Sequence, residues 1–190
     1  MGHIYMNEGI LKLLPGTKRN VPLAPYTTFK IGGKATYFYI AKSTGNIIEA
    51  VNIAKSLKLP FFVLAGGSNL LVSDRGFKGL VIKVQSGGYK VEGDTLHAEA
   101  GVSMETLVKE TGKKGLSGFQ WAGGLPGSVG GAVRGNGGAF GGEMKDSIIS
   151  ISILDGKGNV KTLTKKQCKF SYRDSLIKQK NFNLLSCIFK

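Results

Sequence analysis

A chain of 190 residues, 42% apolar and 20% charged, can bury a core as one domain or two small subdomains and is too apolar to be disordered. No apolar run approaches the ~20 residues that cross a bilayer, so no membrane partner is expected. The net charge of +14 comes from 22 scattered lysines and four arginines; nucleic-acid surfaces rely on clustered basic residues and on arginine forks, so the charge reads as a solvated lysine-rich surface that favours small anionic ligands.

The opening "MGHIYMNEGILKLLPGTKRN" lacks a basic start, an apolar core and a small-residue cleavage site, so it is no secretory signal. Met6 stands where a myristoylation signal after Gly2 needs Ser or Thr. Residues 1–19 are therefore read as a lead, with a first subdomain over 20–85 and a second over 86–190. In the first, "ATYFYIA" (35–41) predicts a strand. Residues 43–58 switch to helical spacing, with Ile47, Ile48, Val51, Ala54 and Leu57 on one face and Ser43 as N-cap. "FFVLA" (61–65) predicts a buried strand, "LLVS" (70–73) a short one, and "GLVIKV" (79–84) closes the unit.

In the second, "YKVEG" and "TLHAEA" bracket Gly93-Asp94 and predict a hairpin. Residues 103–115 predict a helix capped by Ser103 and ended by glycine. Residues 147–164 predict a second hairpin, and 182–190 a final strand. The fold class is α+β, two small βα units with mixed or antiparallel sheets. Two cysteines, Cys168 and Cys187, suggest a reducing, cytoplasmic setting, and with only His3 and His97 beside them no metal site is expected.

Residues 118–144 hold eleven glycines in 27 positions. A flexible linker would lack Phe119, Trp121, Leu125, Val129, Val133, Phe140 and Met144, and no three-residue period suggests collagen. Ordered glycine among apolar residues implies close approach of the main chain to something. Neither G-x-G-x-x-G nor G-x-x-x-x-G-K-[ST] occurs, and no H-E-x-x-H or C-x-x-C.

Two glycine loops remain. Gly66 and Gly67, with Ser68 and Asn69, form either an anion nest suited to a pyrophosphate or an ordinary loop between strands. In "GGLPGSVGGAV", Pro126, Gly127 and Ser128 precede either a helix start that offers free N–H groups to a ligand, or a helix packed tightly through glycine. A third feature is "CKFSYRDS" (168–175): Arg173 beside Tyr172 can stabilise a carboxylate or incipient enolate, or form a structural ion pair with Asp174 or another neighbour.

"PYTTFKIGGKA" (25–35), "LAGGSNLLVSDRGFKGLVI" (64–82), "GFQWAGGLPGSVGGAV" (118–133), "NGGAFGGEM" (136–144) and "CKFSYRDS" occur in the order of one family. Over about residues 20–190 the chain resembles the UDP-N-acetylenolpyruvoylglucosamine reductases, or UDP-N-acetylmuramate dehydrogenases, of peptidoglycan synthesis. The resemblance implies two FAD-binding subdomains of the vanillyl-alcohol-oxidase type with non-covalent FAD between them. It places the cofactor on Ala65, Gly66, Gly67, Ser68, Asn69 and Leu70, and on Gly124, Leu125, Pro126, Gly127, Ser128, Gly130 and Gly131.

NADPH is then the reductant and UDP-N-acetylglucosamine enolpyruvate the substrate of a monomeric enzyme without nucleic-acid or membrane partners. Arg173 matches the family's charge-stabilising arginine, and Tyr172 and Asn136 its substrate-binding residues. The family continues into a substrate-binding domain carrying a proton-donor serine and a partner glutamate. Neither has a counterpart before Lys190, so the expectation is a C-terminally shortened member, or a flavin-binding module without turnover. Ala65 stands in place of a glycine, Arg134 of an apolar residue and Phe140 of a tyrosine.

Overall fold

The computed structural model of the chain describes residues 9–190, and it divides at Gln85/Ser86 into two compact units. The readings made of Met1, Gly2 and Met6 fall outside the described residues. Among those described, no helix is long and apolar enough to cross a membrane.

Unit 1 has a helical turn over residues 9–13, then strands β1 (Lys18–Pro22) and β2 (Lys34–Ala41), helix α1 (Thr44–Ser56), and strands β3 (Phe61–Leu64) and β4 (Phe77–Val84). Its sheet runs β1-β2-β4-β3, with β4 parallel to both β2 and β3 and β1 antiparallel at the edge. Ser43 caps α1 by accepting from the Asn46 N–H, as expected; of the predicted face Ile47, Val51 and Ala54 are buried, joined by Ala50, while Ile48 and Leu57 are only partly buried. Phe38, Leu64 and Val81 make the sheet's core with Leu23 and Ala35, and Tyr26 stacks at 4.5 Å on Phe38.

"LLVS" is not a strand. Residues 65–76 form one long loop whose backbone bonds to a strap at 26–33: the Thr28 N–H donates to the Gly67 carbonyl, and the Gly33 N–H to that of Ser73. Backbone groups that find partners on a strap need no neighbouring strand.

Unit 2 holds the hairpin β5 (Tyr89–Glu92) and β6 (Thr95–Glu99), turning at Gly93 as expected, then helix α2 (Met104–Lys113), capped by Ser103. The short helix α3 (Val129–Arg134) leads into a two-residue hairpin, β7 (Gly138–Ala139) and β8 (Gly142–Glu143), and one turn of helix, α4 (Met144–Ser147). Strands β9 (Ile148–Leu154) and β10 (Val160–Thr164), the helical turn α5 (Leu176–Gln179) and strand β11 (Asn183–Phe189) complete it. The main sheet, β10-β9-β11-β6-β5, is antiparallel throughout, with β11 at its centre. Phe119 meets Phe189 edge-to-face at 5.2 Å in the core beneath it.

The β9–β10 turn is organised by the side chain of Asp155. Its Oδ1 accepts the N–H groups of Lys157 and Asn159, and its Oδ2 lies 2.7 Å from the Lys161 ammonium. The lysine first, then these N–H groups, hold the carboxyl far below the usual carboxylate range. A folded pKa depressed in this way stabilises the protein above the unfolded value, and the contribution is lost as pH falls through the folded one. Asp155→Asn is therefore expected to melt below the wild type at neutral pH, with the gap closing under about pH 4, in paired thermal melts across pH.

Candidate functional site

Ala65 to Asn69 leave the carboxyl end of β3, where ligands of parallel strands commonly sit. Gly67 has φ +68°, and a Cβ there would lie 2.1 Å from the Tyr26 carbonyl oxygen, so conformation and clearance both require glycine. Ser68 and Asn69 make the turn, and Leu70 packs on the unit 1 core. Gly66 opens on a cleft of about 300 Å³ lined also by Thr27, Thr28, Lys30 and Lys83, with no carboxylate in its wall. The Lys83 ammonium donates to the Ala65 carbonyl, and burial pushes its pKa down. This cationic, polar cleft fits a diphosphate.

The second glycine loop resolves differently from the first. At the start of α3 the Val129 N–H donates to Val102, the Gly130 N–H to Ala100, and the Gly131 N–H to the capping Ser128 hydroxyl. The Met104 N–H in turn donates to the Gly127 carbonyl. The possibility of free N–H groups here is corrected: the helix start is docked, main chain on main chain, against the β6–α2 connection. A Cβ at Gly130 would sit 3.0 Å from Ala100, so this is the tightly packed helix that the sequence left open.

Bare backbone remains just upstream. Gly124 takes φ +79°, and a Cβ there would meet nothing within 4 Å, leaving its main chain open to a flat ligand. Leu125 anchors the segment by packing on the core, and its N–H donates to Ala122.

Arg173 sits in a tight turn closed by paired Ser171 and Asp174 backbone bonds, at φ +54°. It forms no ion pair with Asp174, whose carboxylate accepts from Gln179. One guanidinium nitrogen donates to the Gly138 carbonyl at 2.6 Å, and the group lies 5.6 Å from the centre of the Tyr172 ring. Tyr172 is 81% exposed.

Asn136, expected among the substrate-binding residues, is fully buried and engaged by the chain itself. Its amide donates to the Ser171 carbonyl and to Glu143, and its oxygen accepts the Lys145 N–H. The side chain thereby ties the Arg173 turn to the β7–β8 hairpin. The neighbouring Lys145, then the Asn136 amide, keep the Glu143 carboxyl below its ordinary range. Phe140 rides at that hairpin's tip, 92% exposed, in the two-residue turn where it and Gly141 both have positive φ. Arg134 reaches Asn181 across the surface.

A larger cavity of about 470 Å³ in unit 2, walled by Phe119, Trp121, Asp94 and Asp146, includes none of the predicted site residues. Among the described residues no group of three His, Cys, Asp or Glu could hold a metal. Cys168 and Cys187 are buried, and burial raises the Cys168 thiol to about 11, so neither is a nucleophile here. Sequence reasoning missed Lys83, Lys30, Thr27 and Glu143. Only Lys83 left a signal, as a charge inside the apolar run "GLVIKV".

Residues 35–164 match the family model described as FAD binding domain. The UDP-N-acetylenolpyruvoylglucosamine reductase of Caldanaerobacter subterraneus subsp. tengcongensis is 39% identical over 185 residues, which are 97% of this chain and 57% of that protein. That of Lachnoclostridium phytofermentans is 36% identical across the whole chain and 63% of its own length. The chain thus spans a little over half of the curated relatives it matches.

The crystal structure of UDP-N-acetylenolpyruvylglucosamine reductase from Thermus caldophilus superimposes with TM-score 0.77 at 29% identity, over 90% of this chain and 61% of that one. p-Cresol methylhydroxylase shares the fold alone, at TM-score 0.66 and 14% identity, over 98% of this chain and 42% of that one. The expected α+β architecture, of the type shared by this reductase and by p-cresol methylhydroxylase, is the one observed.

Asn136→Ala is expected to lower unfolding free energy by about 3 kcal/mol in denaturant titration, since it strands buried partners and puts alanine at positive φ. Gly67→Ala is expected to cost about 2 kcal/mol or more by the same measurement.

Proposed function

The chain belongs to the FAD binding domain family, and on that premise we propose that it is the flavin-binding part of a UDP-N-acetylenolpyruvoylglucosamine reductase. The observation that carries this reading is the cationic, carboxylate-free cleft at Gly66 in unit 1; unit 2, taken by itself, offers bare main chain at Gly124. When bound, FAD would supply the two-electron chemistry that carries a hydride from NADPH to the enolpyruvyl double bond of UDP-N-acetylglucosamine enolpyruvate, giving UDP-N-acetylmuramate.

The chain's own residues would then do the following. The loop from Ala65 to Leu70 holds the pyrophosphate, with Gly67 locking it to the strap. Gly124 to Ser128 lie against the cofactor with main chain, Pro126 limiting their freedom. Gly130 and Gly131 serve indirectly, since their N–H groups are engaged within the protein.

Arg173 faces the substrate carboxylate and the negative charge that develops as hydride arrives, through charge-assisted hydrogen bonds. Its bond to Gly138 fixes the guanidinium for that task, and Asn136 acts as a positioning residue by holding the turn. Tyr172 offers a phenolic hydroxyl to the substrate. Buried free thiols accord with a reducing cytoplasm, and the enzyme is proposed to work as a monomer.

The test is the visible spectrum of the purified 190-residue chain, followed by anaerobic addition of NADPH. The reading expects a bound flavin band that bleaches. Colour without bleaching leaves a binding module that does not turn over, and no flavin after FAD is added overturns the reading. In the flavin-loaded protein, Arg173→Ala is expected to weaken the substrate-induced spectral shift about ten- to hundred-fold in substrate concentration, with flavin content unchanged.

A further inference from the structure

β4 is the central strand of the unit 1 sheet, parallel to a neighbour on each side, and Lys83 pairs in register with Ile40 and Leu64 near its carboxyl end. Ile82 and Val84 on either side of it are buried. A lysine is a costly choice there, because half-burying an ammonium needs compensating acceptors. The ammonium has three donors, and the contact recorded for it is the single carbonyl of Ala65. Among the described residues, no carboxylate lies within ion-pairing distance of it.

Lys83 lines the cleft beside Gly66 together with Thr27, Thr28 and Lys30. Two lysines, the exposed Thr28 and no acid give this wall a net positive character suited to an anion. Its position at the carboxyl ends of parallel strands is where a dinucleotide's phosphates are commonly received.

We propose that Lys83 is the fixed counter-charge for the diphosphate of a bound dinucleotide, with Lys30 as an exposed auxiliary. The proposal rests on the flavin reading above. The Ala65 carbonyl anchors the ammonium from the loop side, so one side chain links the strand that carries the charge to the loop that cradles the phosphates. Lysine works as a point charge in this role, its stem running along the sheet and its head in the cleft.

The test compares wild type, Lys83→Met and Lys83→Arg, each as the whole chain, by equilibrium binding of FAD, ADP and riboflavin and by melting of the cofactor-free protein. Lys83→Met is expected to weaken FAD and ADP about ten- to hundred-fold, to leave riboflavin within about twofold, and to melt no lower than wild type. Lys83→Arg should retain most of the affinity.

A variant that weakens riboflavin as much as FAD, or that melts lower without discriminating ligands, makes Lys83 structural and overturns the proposal. So does unchanged FAD binding by Lys83→Met, in which case the flavin reading survives alone. If wild type binds ADP but not FAD, the flavin reading fails and the ADP comparison still decides Lys83; if it binds neither, both fail. Should Lys83→Met not fold, Lys83→Gln makes the same comparison, since its amide can still donate toward Ala65.

Discussion

Main chain pressed directly on main chain is the constraint on which both units depend. At Gly130 the helix start meets Ala100 so closely that a β-carbon would force its neighbour to shift, and the N–H groups of Val129 and Gly130 complete the backbone of the β6–α2 connection. At Gly67 the loop after β3 meets Tyr26 in the same manner. Glycine is selected in both places by clearance, and the reward is a network of backbone hydrogen bonds in irregular segments that a sheet or helix would otherwise have to satisfy. The apolar residues threaded through the second loop, Leu125, Val129 and Val133, then hold these contacts to a core.

The parts legible in the sequence are those with a period or a cap. Helix α1 announced itself through Ser43 and the Ile47–Val51–Ala54 face, and β9 and β11 through their apolar runs. β1 was invisible because Lys18–Pro22 is a mostly exposed edge strand without alternation, and "LLVS" misled because its Leu70 and Val72 pack on the core while its backbone bonds to a strap. At the site, glycine spacing located the loops but could not say whether an N–H faced a ligand or another part of the chain. Likewise, the resemblance casts Asn136 as a substrate-binding residue, and only three-dimensional contact reveals that it holds Ser171 from 35 positions away. Lys83 was available in principle, since one charge in a buried strand asks for a reason.

Charge is placed sparingly where it acts. Most of the +14 is spread over exposed lysines, while Lys83 and Arg173 are each fixed by a backbone carbonyl, Ala65 and Gly138. A carbonyl orients a cation without neutralising it, which a carboxylate would do. Among the described residues neither side chain is ion-paired with a carboxylate, the condition for binding an anion without first breaking an ion pair.

The order of strands in unit 2 carries a consequence for how the protein is made. β11 follows both β6 and β9 in sequence, yet it lies between them, so the sheet has no continuous centre until that strand arrives. Unit 1, by contrast, is built entirely from the first 85 residues. During synthesis the first unit can fold while the second still waits for its keystone, with β6 and β9 each exposing an unpaired edge in the interval. The chain's vulnerability to mispairing is thus concentrated in one unit, and it ends when a single seven-residue strand docks.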